Sequence, residues 1–148
     1  MTRMFPDDAY LSKLGRLTYS LALLESTVLA HLDRLPGLPP ALTPRKLAGK
    51  TLEAIARAVT DPAHLAKVTD ATTRVHLDAA GEELAAAARA AHAVARARPA
   101  RLDESPRLYR DPDHPGADTD ITTTWLDHTQ DRLDDALRRL GAAQRTAA

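Results

Sequence analysis

The sequence predicts an all-α, single-domain helical bundle of four main helices plus short connecting helices, with a long loop before the last helix. Three observations carry this reading. Apolar residues recur at steps of three and four, as in Leu14, Leu17, Leu21, Leu24 and Val28 and again in Leu133, Leu137 and Leu140, the spacing that lines one face of a helix. Nine of the thirteen residues from Ala85 to Ala97 are alanine, the strongest helix former. The breaks between such segments hold proline and glycine, which punctuate helices. At 148 residues the chain fits one domain with one core, here about 8–141, with a loop at 99–120 and a frayed tail at 142–148.

The first helix is predicted from Asp8 to Leu35, behind Pro6 and Asp7, with His31 in one slot of its apolar stripe. A histidine there reads as a core or edge residue whose ring nitrogens bond to a carbonyl or carboxylate. Pro36-Gly37-Leu38-Pro39-Pro40 ends the helix by removing donors and fixing an extended backbone. Thr43 and Pro44 form a cap followed by the favoured first helical residue and start a short helix to Gly49. A second runs from Lys50 to Val59, with Leu52, Ile55 and Val59 on one side. Gly49-Lys50-Thr51 lacks the upstream glycine and preceding strand of a phosphate-binding loop.

Asp61-Pro62 repeats the start signal, and Leu65, Val68, Thr72, Val75 and Ala79 keep helical spacing. Gly81 costs about 1 kcal/mol relative to alanine inside a helix, so a kink or short break is expected between Leu77 and Gly81. His64 and His76 read as solvent-side residues. From Glu82 to Arg98 the helix is strongly favoured, and Arg89, His92 and Arg96, at i, i+3 and i+7, form a basic stripe on one face. Residues 99–120 hold four prolines and form a loop longer than the ~12–15 residues usual for a compact domain. Within it Arg107-Leu108-Tyr109-Arg110 reads as extended chain with Leu108 inward. The surrounding stretch reads as mobile and solvated, because Asp113, His114, Asp118 and Asp120 meet no metal-ligand spacing. The last helix is predicted from Ile121 to Gly141, with Trp125, the one tryptophan, as a packing anchor in its first turn.

Composition narrows the function. The absence of cysteine removes disulfide scaffolds, thiolate zinc sites and cysteine nucleophiles. No run of ~20 apolar residues and no signal-like N-terminus is present, so a cytoplasmic protein without a membrane partner is expected. Twenty basic residues balance twenty acidic ones, which disfavours non-specific DNA binding. Charge is nonetheless uneven: Arg89, Arg96, Arg98 and Arg101 lie in a stretch without acids, while Asp127, Asp131, Asp134 and Asp135 face the single Arg132 in another. No metal site and no cofactor are predicted.

Read together, Tyr10-x-x-x-Leu14-Gly15-Arg16-x-x-Tyr19-x-x-Ala22-x-Leu24-Glu25, Leu47-Ala48-Gly49-Lys50-Thr51-Leu52, Ala97-Arg98-Pro99-Ala100 and Arg107-Leu108-Tyr109-Arg110 resemble a group of small bacterial helical proteins related to the HEPN superfamily. These are nucleotide-binding and ribonuclease helical domains of toxin–antitoxin and phage-defence systems. The resemblance covers roughly Tyr10 to Leu140 and implies a HEPN-like bundle acting as a homodimer. In that group the helix before the Ala-x-Pro-Ala turn carries Arg-Asn-x-x-x-His, whose arginine and histidine serve RNA cleavage.

Registered on Pro99-Ala100, this chain has Ala91, His92 and Arg96 in those three places. Arginine does not give up its proton, and losing general acid–base catalysis costs ~10²–10⁴-fold in rate. The inherited reaction is therefore expected to be absent or much reduced. The first expectation is a degenerate HEPN-like domain that binds RNA, a nucleotide or an acidic partner protein through Arg89, His92, Arg96 and Arg98. The second is a weak or repositioned, metal-independent endoribonuclease using His92 with Arg89 or Arg96. The third is a small-molecule-binding or accessory protein of a biosynthetic pathway, with a pocket roofed by Tyr109 and Trp125.

Overall fold

The computed structural model describes residues 5–99, 106–116 and 119–147, with side chains as far as residue 142. Ala100, Arg101 and Asp118 lie outside the described residues, as do Ala148 and the remaining side chains of the tail. Helix α1 (Asp8–Leu32) leads through a 3-10 turn (Pro40–Leu42) to α2 (Pro44–Leu47), α3 (Leu52–Thr60) and α4 (Pro62–Leu65). Helix α5 (Ala71–Arg96), an antiparallel pair of two-residue strands, β1 (Arg98–Pro99) and β2 (Leu108–Tyr109), and α6 (Thr123–Ala147) complete the chain. The all-α class holds, built on three helices of 25 or 26 residues and one of nine.

Side-chain caps start several of the helices, but Thr43, read as a cap, makes no capping bond and donates from Oγ1 to Pro40 O at 2.9 Å instead. Asp7 accepts from Tyr10 N at 2.8 Å, Thr51 from Ala54 N at 3.2 Å, Asp61 from Ala63 N at 2.9 Å and Asp70 from Thr73 N at 2.9 Å. Each satisfies a backbone donor that the first helical turn leaves without a partner. After α1 the chain turns at Gly37, whose φ of 74° is open to glycine at little cost. Thr73 Oγ1 donates to Pro36 O at 2.8 Å and Thr69 N to Gly37 O at 3.2 Å, which ties the end of α1 to the start of α5.

The helices associate as two tight pairs. α1 runs parallel to α6, joined by Gln130 Nε2 donating to Ser20 Oγ at 2.8 Å in the interior and by the surface ion pairs Lys13–Asp127 at 2.6 Å and Arg16–Asp134 at 3.3 Å. The surface pairs contribute little, ~0–1 kcal/mol each. Burial of Leu17, Leu24 and Val28 with Leu126, Leu133 and Ala136 supplies most of the hold. α3 lies antiparallel along α5, where Ile55 and Val59 meet Leu77, Ala80 and Leu84 in the same core.

Gly81 explains how close the second pair comes. A β-carbon there would lie 2.7 Å from Thr60 Cγ2, inside any real contact distance. Thr60 is held in place by Oγ1 donating to Ala56 O at 2.7 Å. The expected break at Leu77–Gly81 is therefore not found: α5 continues through Gly81, and the glycine serves close helix approach. The break lies earlier, at residues 66–70, where α4 ends and Asp70 caps α5.

Three further expectations change. α1 stops at Leu32, three residues early. α6 continues beyond Gly141 to Ala147 instead of fraying at 142. Part of the 99–120 loop is fixed: β1 pairs with β2, Tyr109 is buried and bridges to Asp120, and Tyr10 Oη donates to Ile121 O at 2.8 Å while accepting from Leu108 N at 3.2 Å. Two hydroxyl bonds from a buried tyrosine thus pin the strand to α1, and burial raises the Tyr10 pKa above its ordinary value.

The histidines agree with expectation only in part, His31 in its burial but not in its bonding. His31 is buried, its ring packed edge-on against His76 with centroids 5.4 Å apart, and its Nδ1 has no hydrogen-bond partner among the described residues. His76 is half-buried by that contact, and His64, also half-buried, bonds through Nδ1 to Ala58 O at 2.9 Å.

Two predictions follow from this packing. Gly81→Ala gains about 1 kcal/mol of helix propensity but forces a clash that costs about 1–3 kcal/mol. Denaturant unfolding is expected to show a net loss of about 1 kcal/mol, recovered when Thr60→Ser removes Cγ2; a stabilised single variant would contradict the packing. Desolvation first, then the neighbouring His76 and Arg34, lowers the His31 pKa. The folded state then binds fewer protons than the unfolded chain, so stability is complete above the unfolded value of 6.5 and is lost as pH falls toward the folded value. The urea midpoint should be lower at about pH 5 than at about pH 7.5, with a smaller difference in His31→Leu; an equal difference in both proteins would exclude His31 as the cause.

Candidate functional site

The two helix pairs diverge between α5 and α6, and a groove of about 480 Å³ opens there, within the ~300–1,000 Å³ range of small-ligand sites. Its floor is Ala86, Ala87, Ala90 and Ala93 of α5 with Leu133 and Ala136 of α6. The alanines of α5 leave the space between two antiparallel helices unfilled. From Glu83 to Ala93 the groove is roughly 15 Å long at 1.5 Å rise per residue.

Its two ends differ. One is closed by an ion pair across the helices, Arg139 Nη1 to Glu83 Oε1 at 3.0 Å. Trp125 and Arg110 line the groove away from this pair, Arg89 and Arg132 stand between, and the carboxylates of Glu82 and Asp135 also border it. Trp125 is fixed in the first turn of α6, where its N–H donates to Thr122 Oγ1 at 3.0 Å. Arg110 follows β2, whose position depends on the Tyr10 anchor. Among the described residues Arg89 and Arg132 make no ion pair and no side-chain hydrogen bond, and both are exposed. Guanidinium groups without a carboxylate beside an aromatic wall can take a phosphate or carboxylate in forked geometry and a flat ring by stacking.

A smaller groove of about 330 Å³ lies on the opposite side of α5, against α3. Ala56, Ala85 and Ala88 form its floor, and Glu53, Arg57, Thr60, Arg89 and His92 its rim. Arg89 borders both grooves, so the crest of α5 at this point is the shared wall.

The predicted stripe is thereby divided. Arg89 faces both grooves, and His92 faces the α3 side with Arg57. Arg96 is exposed one turn further on and lines neither groove. Arg98 donates from Nη1 to Ala95 O at 2.7 Å and Ala97 O at 2.8 Å, closing the carbonyl end of α5. Trp125 borders the larger groove, whereas Tyr109 is buried beneath the strand pair and borders neither.

Arg110, Arg132 and the alanine floor were not identified from the sequence as parts of one site. The signal present was the run of alanines at 86, 87, 90 and 93, all on one helix face. Among the described residues no three His, Asp or Glu side chains come together to hold a cation, and no helix is long and apolar enough to cross a membrane. Comparison with family models, with curated proteins and with solved structures finds no match to the chain.

Proposed function

We propose that the chain is a catalytically degenerate HEPN-like domain that works by binding nucleotide units, as free nucleotide or single-stranded RNA, in the groove between α5 and α6. One observation carries the reading: Arg89 and Arg132, which make no ion pair among the described residues, line one alanine-floored groove together with Arg110 and Trp125. A nucleotide has the matching parts. Its phosphate pairs with guanidinium groups, and its base stacks on an indole at ~1–3 kcal/mol per base.

The alanine floor presents no side-chain polar group to be desolvated, so stacking and phosphate contact are not offset there. A groove of roughly 15 Å accommodates a segment of one to a few nucleotides, and nothing in this chemistry requires bond cleavage. A homodimer and a setting in toxin–antitoxin or phage-defence systems belong to the same proposal and rest on the family resemblance.

Binding of a labelled single-stranded oligoribonucleotide and of a nucleoside triphosphate, followed by fluorescence anisotropy, tests it. Arg89→Ala, Arg132→Ala and Trp125→Ala are each expected to weaken binding about tenfold, or ~1.4 kcal/mol. Affinity should also fall with added salt, as counterion release requires. Arg45→Ala, on exposed α2, should leave it unchanged. No binding by the native chain, or equal binding by all four variants, would overturn the reading.

A further inference from the structure

The groove between α3 and α5 lies apart from the larger one and shares only Arg89 with it. Its floor carries methyl groups alone, those of Ala56 on α3 and of Ala85 and Ala88 on α5. Its volume of about 330 Å³ is at the lower end of the range for small-ligand sites. From Ala85 to His92 it runs roughly 10 Å at 1.5 Å rise per residue. Thr60, which packs on Gly81, marks one end, and Glu53 and His92 mark the other. Such a floor offers water no side-chain hydrogen bond, so an apolar body that displaces the water is favoured there.

The charges above the floor have no partners. Arg57 and Arg89 reach the rim from opposite helices, and among the described residues neither makes an ion pair or a side-chain hydrogen bond. Glu53 stands one turn before Arg57 on α3, the order in which a helix favours an ion pair. The two nevertheless do not join. Glu53 lies in the first turn of α3, where the helix N-terminus by itself favours a carboxylate, and Arg57 is left to the groove with Arg89.

We infer that the α3–α5 groove is a second ligand site, which takes a small free monocarboxylate with an apolar body. The carboxylate pairs with the guanidinium groups of Arg57 and Arg89, and the apolar body lies over Ala56, Ala85 and Ala88. Charge selects a monoanion. Two arginines against Glu53 leave one net positive charge at the rim. One carboxylate neutralises it, whereas a second negative charge would stand unmatched beside Glu53. A guanidinium fork also meets both oxygens of a carboxylate at once. Among the described residues no Trp, Tyr or Phe lines this groove, so it lacks the stacking wall that favours a nucleobase between α5 and α6.

Titration of the ¹⁵N-labelled full chain with octanoate, followed at the backbone amides, tests the inference. Saturable shifts are expected at residues 53–57 and 85–92, with a dissociation constant of about 0.1–1 mM. The indole of Trp125, which borders the other groove, should stay still. Arg57 lines this groove and not the larger one, so Arg57→Gln should weaken binding about fivefold while the melting temperature stays the same. Glu53→Gln should strengthen binding about twofold by removing a like charge. Octan-1-ol, which keeps the chain and lacks the charge, should bind about tenfold more weakly than octanoate. No saturable shift up to about 10 mM octanoate, octan-1-ol bound as tightly as octanoate, native affinity in Arg57→Gln, weaker binding by Glu53→Gln, or shifts centred on Trp125 would overturn the inference. None of these outcomes requires nucleotide to bind, so failure here is distinct from failure of the α5–α6 proposal.

Discussion

The missing β-carbon at Gly81 sets the geometry on which the rest of the molecule depends. It lets Thr60 of α3 settle against the backbone of α5, and that contact holds α5 to the short helices rather than to α6. α6 is claimed by α1, through buried leucines and the Ser20–Gln130 hydrogen bond. With each long helix committed to a different partner, α5 and α6 contact each other sparsely among the described residues, the Glu83–Arg139 ion pair being one such contact. The groove is a consequence of where the tight contacts are, and the alanines of α5 keep it unfilled.

Much of this was legible in the sequence, and the failures have physical causes. Asp7 and Asp61 start helices where the sequence was read to do so, and Thr51 and Asp70, not singled out there, cap by the same local rule of a short polar side chain before an apolar run. Local rules failed where a distant residue decided. Gly81 reads as a helix breaker until Thr60 is known to lie against it. His31 reads as a satisfied polar residue, yet its neighbour is a second histidine and its Nδ1 has no partner among the described residues. Arg98 reads as part of a basic stripe and instead closes a helix end. Periodicity locates the faces of α5 and α6 but carries no information on the angle between them. The approach of Arg89 to Arg132 and Trp125 could therefore not be read before the fold was.

The basic stripe on α5 takes on a different meaning in the structure. Arg89 is the member that borders both grooves, while His92 turns toward α3 and Arg96 stands beyond the groove ends. The positions that the family resemblance registers on its motif hold Ala91, His92 and Arg96, and cationic charge at the groove lies in Arg89, Arg110 and Arg132.

The most direct test of the central claim uses the single tryptophan. In a ¹⁵N-labelled sample the indole of Trp125 gives one side-chain resonance, and titration with a short single-stranded oligoribonucleotide can be followed at that resonance and at every backbone amide. The account predicts a saturable shift of the Trp125 indole, together with amides of residues 86–93 and 125–136. A titration in which binding occurs while the indole and these amides stay still would contradict it.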